Sequence, residues 1–335
     1  MKRGLLALGV VLTAAGALSS PRESSKPLVV HEWGTFTSIA GKDGNAVEWL
    51  PLNGPSDLPG FVERYRFNLK TSVPALVRME TPVLYFYAKR ELTVDVGVQF
   101  HSGAITEWFP KASELTGPST ADLQNGRGLA RSFTSAISWN QVRLTPNASD
   151  AFQTEGAGSH YYIARQTDAS PLETRSQREK FLFYRGIANF QPPLSAMLTG
   201  EGHVLVRNRD GAPLGSLVLF ENRGGTIAFR VYDEAGAELS ADIPKLDGES
   251  AAPGVDLERI LVAHGLYARE AKAMVDTWRD TWFGEGTRIF YVVPSKTIDA
   301  ILPLTIAPAP SEVVRVFVGR IELRSPAASR PAQTP

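Results

Sequence analysis

The stretch Leu92–Phe109, LTVDVGVQFHSGAITEWF, carries the plainest structural signal in the 335-residue chain. Leu92, Val94, Val96, Val98 and Phe100 alternate with Thr93, Asp95, Gly97 and Gln99. Successive side chains of a strand point to opposite faces, so this period of two predicts one buried face and one solvated face. His101–Ser102–Gly103 reads as a turn, and Ala104–Phe109 as the strand that returns from it.

The pattern recurs in HVLVRN (203–208), GSLVLFEN (215–222) and TIAFRVYDE (226–234). These are separated by RDGAP and RGG, whose Asp-Gly and Gly-Gly pairs supply the positive φ of tight hairpins. PVLYFYA (82–88) and KFLFYRG (180–186) are apolar on both faces, as in strands at the middle of a two-layer core. Short turns favour antiparallel pairing, because a parallel crossover needs a dozen or more residues. The expected fold is mostly β, a β-rich α+β protein with an antiparallel β-sandwich-like body over residues 27–245.

After KLDGESAAPG (245–254), which reads as a linker, the spacing turns helical. Leu257, Ile260, Leu261 and His264 form one stripe stopped by Gly265. Ala271, Met274, Val275, Trp278 and Trp282 form a second. RIFYVVP (288–294) returns to strand, SKTIDAIL (295–302) reads as a short helix capped by Ser295, and VVRVFVGRIEL (313–323) as a final strand. A C-terminal α+β segment, 255–324, is therefore expected to pack on the β domain as a helical pair followed by further strands. Residues 325–335 are Pro/Ala/Ser-rich and expected to be disordered. The polar run Lys111–Arg131 reads as a long surface loop.

Lys2 and Arg3 precede an apolar run, Gly4–Leu18, and then small residues. That is the pattern of a secretory signal peptide over residues 1–19, implying a secreted or periplasmic protein. The run is shorter than the roughly 20 residues a membrane span needs, and no later stretch approaches that length. With no cysteine, disulfides and a thiol nucleophile are excluded. The 35 basic and 35 acidic residues balance without a basic stripe, which leaves nucleic-acid binding without electrostatic support.

HEWGT (31–35) invites comparison with the zinc-binding HExxH helix, but Thr35 stands at the second histidine position and the flanking residues favour a strand. On a strand His31 and Glu32 face opposite ways. HEWGT, with TEWF (106–109), FLFYRG (181–186) and VVRVFVGRIEL, resembles an uncharacterised family of secreted bacterial proteins that open their mature chain on such a segment. The resemblance covers most of the mature chain and implies secretion, with no activity attached.

Three chemistries are open. His31 and His160, with a carboxylate such as Glu107 or Asp168, would suit zinc or another divalent metal. Tryptophans beside carboxylates (Trp33, Trp49, Trp108, Trp278) suggest a glycan, whose apolar face stacks on an indole while paired carboxylates divide the acid and nucleophile roles. Glu107 fits the acid, because its predicted strand face carries Ile105 and Phe109. GSHYYIARQTDASP (158–171) reads as a polar strand in which Arg165 could clamp a carboxylate or phosphate bidentately. The candidates are thus Glu107, His160 and Asp168 as catalytic residues, Trp33, Trp108 and Arg165 as ligand contacts, and His31 and His160 as metal ligands. Against each stands a structural alternative: tryptophans fill cores, and buried arginines pair with carboxylates. Glu32 in particular needs a buried partner, Arg185 or Arg315. Two functions follow: a hydrolase acting on a glycan or other envelope polymer, or a non-catalytic ligand-binding or structural module of the envelope. If a site forms, His31 should meet Glu107 and His160.

Overall fold

The computed structural model describes residues 28–53, 57–65, 73–118, 133–156, 158–175, 177–200, 202–246 and 252–323. The expected signal peptide, the tail, the middle of the linker and residues 119–131 of the expected loop lie outside these. Strands β1 (Val29–Ala40), β2 (Glu63–Arg64), β3 (Val77–Tyr87), β4 (Leu92–His101), β5 (Gly103–Phe109), β6 (Glu114–Thr116) and β7 (Thr134–Leu144) lead to a 3₁₀ helix, His160–Arg165. β8 (Leu172–Thr174), β9 (Gln177–Glu179), β10 (Leu182–Ala188), β11 (Leu194–Leu198) and β12 (His203–Asn208) follow. Then come β13 (Gly215–Arg223), β14 (Thr226–Ala235) and β15 (Glu238–Asp242). Helices α1 (Pro253–Ala263) and α2 (Ala268–Trp282), β16 (Gly286–Val292), α3 (Ser295–Ile301), β17 (Leu304–Ala307) and β18 (Glu312–Leu323) close the order.

The protein is mostly β, built on a large mixed sheet. Its main path runs β14-β13-β16-β18-β1-β3-β10-β5-β7-β4-β17, and β11-β12-β15 form a small second sheet. Most pairings are antiparallel, but β1 and β18, the first and last long strands, run parallel along their whole length. The C-terminal segment therefore supplies the middle of the sheet, with β16 and β18 lying between β13 and β1.

The alternation in β4 holds, since Val94, Val96, Val98 and Phe100 are all buried. The hairpin expected from it does not form. The chain reverses at Ser102 (φ 55), but β5 pairs with β10, and β7 takes the place beside β4. Both faces of β5 are largely covered, so it occupies an interior position that a local turn does not specify. RDGAP likewise joins strands of different sheets, β12 and β13. RGG does close a hairpin between β13 and β14, with positive φ at both Gly224 (58) and Gly225 (87), as a two-residue turn of this hand requires.

Two further expectations are corrected. Residues 160–165 form a 3₁₀ helix in place of a strand: the Ser159 hydroxyl accepts the Tyr161 N–H, and Tyr161 and Ala164, three apart, turn inward. Ser295 does not cap α3, because Pro294 occupies the cap position and Ser295 is the first helical residue.

The sheet carries a core on each face. Even-numbered residues of β1, Val30 and Phe36, join one with Leu84, Phe86, Trp139 and Phe317. Trp33 joins the other, with Val83, Tyr85, Phe183 and the apolar stripes of α1 and α2. Leu257, Ile260 and Leu261 are buried, as are Ala271, Met274, Val275 and Trp282, and Gly265 (φ 107) follows the first helix as expected.

Gly186 is required by close approach. A Cβ there would lie 2.1 Å from the Ala104 carbonyl oxygen. Gly186→Ala is expected to destabilise by about 3 kcal/mol in urea unfolding, because rigid backbone must move. Gly236→Ala, whose Cβ would meet only the Glu238 oxygen at 3.9 Å, should stay within about 0.5 kcal/mol.

Candidate functional site

Three register shifts lie side by side across the middle of the sheet, in the pairs β1–β3, β3–β10 and β10–β5. Between Trp33↔Val83 and Thr35↔Glu80, β3 spends one more residue than β1, and Thr81 takes φ 47. Such a bulge re-aims the side chains beyond it. Without it Arg78 and Glu80, even-numbered like Leu84 and Phe86, would point into the first core. With it they share the face of Val83 and Tyr85. A second bulge at Thr106 acts on β5: Glu107 stays on the face of Phe109, while Ile105 joins the first core with Trp108. The apolar face expected around Glu107 is therefore only half present.

The redirected side chains meet under α2. A pocket of about 280 Å³ is lined by Arg78, Glu80 and Arg185 from the sheet, Asp57 and His160 from loop and 3₁₀ helix, and Trp278 and Asp280 from α2. Arg78 Nε lies 3.3 Å from Glu80 Oε1, and Glu80 also accepts the Thr37 hydroxyl at 2.9 Å. Arg185 Nη2 donates to Glu107 Oε1 at 2.8 Å. His160 sits between two carboxylates, with Nδ1 2.9 Å from Asp57 and Nε2 3.1 Å from Asp280. Trp278 Nε1 is buried and has no hydrogen-bond partner among the described residues.

Burial pushes the Glu107 carboxyl up, but the Arg185 charge, hydrogen bonds from Arg185 and Thr106, and the charge of Arg78 together hold it below its ordinary value. Burial pulls Arg185 down, and Glu107, Glu80 and Asp57 outweigh it, so its guanidinium is held above the ordinary value. Glu107 is thus an ionised ion-pair partner rather than a protonated general acid.

HEWGT serves the sheet. His31, buried in the central strand, donates from Nδ1 to Glu270 Oε2 at 2.7 Å. The same carboxylate accepts the Tyr87 hydroxyl (2.7 Å) and the Tyr267 N–H (2.8 Å). Glu32 faces the other way, as alternation requires, onto Arg315 (2.6 Å) and the Tyr184 hydroxyl. Trp33 is fully buried beside Tyr85 and offers no face to a ligand. A Cβ on Gly34 would lie 2.7 Å from the Phe317 ring and 3.2 Å from Pro82, so the glycine makes room opposite the bulge.

His31 and His160 do not share a site. They bind opposite ends of α2, at Glu270 and Asp280, about 15 Å apart by helical rise. Glu107 joins His160's surroundings only through Arg185 and the pocket wall. The two carboxylates on His160 occupy opposite ring nitrogens, and no cluster of three His, Asp or Glu side chains able to hold a metal occurs among the described residues. These residues do not fit the zinc site read from the sequence. Asp168 pairs with Arg269 on the exposed surface. Arg165 is committed to buried Glu179 at 2.7 Å and stacks near Phe152, Tyr161 and Tyr162. Trp108 is half-buried against the first core and Tyr65. Missed from sequence were Asp57, Arg78 and Glu80. Thr81–Pro82, which interrupts the alternation of β3, was the available signal for the bulge. The chain matches no protein-family model and no curated protein.

The Glu107–Arg185 pair gives a pH-dependent prediction. A carboxyl held low in the folded state contributes stability above its unfolded pKa and loses it as pH falls through the folded value. Glu107→Gln is expected to cost about 3 kcal/mol at neutral pH, and the difference from wild type should shrink as pH falls below about 4 in urea unfolding.

Proposed function

We propose that the chain is an extracytoplasmic ligand-binding module whose pocket under α2 takes one neutral, hydroxyl-rich unit of an envelope glycan. The observation that carries this reading is the lining. Three carboxylates (Asp57, Glu80, Asp280) face two guanidiniums and one imidazole, with Trp278 in the wall beside them. Near-balanced charge gives no preference for an ion, whereas alternating donors and acceptors match hydroxyls, which both donate and accept. The volume is near the lower end for ligand pockets, roughly 300 Å³, and suits a single unit better than a polymer. Extracytoplasmic placement is supported by the leader-like N-terminus and the resemblance through HEWGT. No helix among the described residues is long and apolar enough to cross a membrane. A sandwich-like body is part of the same reading, supported by the buried cores on both faces of β1, β3 and β10.

One observation favours a hydrolase instead: Asp57 on Nδ1 orients His160 in the manner of an imidazole base. Its other nitrogen is held by Asp280, and Glu107 is kept ionised, so binding is the better-supported role.

The test is intrinsic tryptophan fluorescence of the full chain titrated with a panel of neutral and acidic mono- and oligosaccharides. A neutral sugar should perturb the emission and bind at least about tenfold more weakly to Trp278→Ala and Arg78→Ala, an effect of about 1.4 kcal/mol or more. Absence of binding across the panel would remove the proposal. Release of aglycone from chromogenic glycosides, lost in His160→Ala, would establish the hydrolase reading in its place.

A further inference from the structure

A second groove lies at the other face of the sheet's central strands, where β17 and the start of β18 fail to meet. It encloses about 560 Å³ and is lined by Pro303, Leu304, Ile306, Pro310 and Val313, with Arg315 and Asp299 as its charged residues. Both flanking strands present open backbone. Among the described residues, β17 ends the sheet path and pairs only with β4. The Gln99 N–H donates to the Pro303 carbonyl at 3.0 Å, which makes Gln99–Pro303 a hydrogen-bonded pair. By the alternation of an antiparallel ladder, Leu304 and Ile306 then turn their N–H and C=O groups away from β4. On β18, the ladder to β16 begins at Val318, so on that side residues 312–316 face no strand among the described residues. Val313 is 44% exposed there.

Arg315 adds a chemical preference. Its side chain is more than nine-tenths buried, Nε donates to Glu32 at 2.6 Å and Nη1 to Asp299 at 2.9 Å. The nearby Tyr184 hydroxyl donates to Glu32 and keeps lone pairs able to accept from the same guanidinium. Two carboxylates already face one guanidinium, so the groove holds no spare positive charge for an anion. An uncharged segment meets this condition, and a carboxylate or phosphate does not.

We propose that this groove is a strand-addition site for a short, uncharged, extended apolar segment of a partner protein. Main-chain bonds to Leu304 and Ile306 would supply affinity, and the prolines and Val313 would supply the apolar walls. Pro303 and Pro308 bracket β17, so the added strand can run only about four residues, or roughly 13 Å. The same prolines guard the edge against open-ended self-association.

The experiment selects random heptapeptides displayed on phage against the full chain, then measures binding of a labelled consensus peptide by fluorescence polarisation and hydrogen exchange. Enriched peptides should carry an uncharged apolar run, slow exchange at Leu304 and Ile306, and bind Val313→Asp about tenfold more weakly or worse while that variant keeps its circular dichroism and unfolding midpoint. No enrichment, preference for acidic peptides, protection elsewhere or unchanged binding to Val313→Asp would each overturn the proposal. So would a concentration-dependent dimer that protects the same amides without peptide, which would make the occupant a second copy.

Discussion

The carboxylate of Glu270 is the point on which the central architecture turns. It lies fully buried in the first turn of α2, where the helix dipole favours negative charge, and it is satisfied by His31 of β1, Tyr87 of β3 and the Tyr267 backbone N–H. A buried carboxylate with several donors is stable only while all of them stay in place. This fixes the start of α2 over two adjacent central strands. The far end of the same helix then places Trp278 and Asp280 above Arg185 and the redirected Arg78 and Glu80. The pocket is therefore a consequence of how the helix is clamped, ten residues away.

The two sides of β1 show how a sheet divides labour between neighbouring polar residues. His31 reaches the helical layer, and Glu32 reaches Arg315 of the neighbouring strand β18 on the opposite face of the sheet. The parallel pairing of β1 and β18 sets Glu32 beside Arg315 in register, so the first and last strands are joined by backbone and by charge. Breaking either buried pair from one side leaves an unpaired charge, a larger penalty than the pair's own net contribution.

Much of this was legible in the sequence. Alternation identified the strands, helical spacing identified α1 and α2, and opposed faces for His31 and Glu32 followed from the strand assignment, with Arg315 among the partners expected for Glu32. Partner choice was not legible: Leu92–Phe109 turns at Ser102 as its composition suggests, yet its halves pair with β7 and β10. Tertiary packing decides this, since a turn fixes direction and not which strand lies alongside. The site was less legible still. Arg78 and Glu80 reach the pocket only because Thr81 bulges, and His160 sits on a 3₁₀ turn where period two pointed to a strand.

The most direct test is a double-mutant cycle between His31 and Glu270, read by urea unfolding and by hydrogen exchange along α2. The clamp predicts a coupling energy of about 2 kcal/mol or more, and Glu270→Ala should speed exchange through residues 268–282 while the central strands stay protected. Additive single mutants, with α2 exchanging as slowly as in wild type, would contradict it.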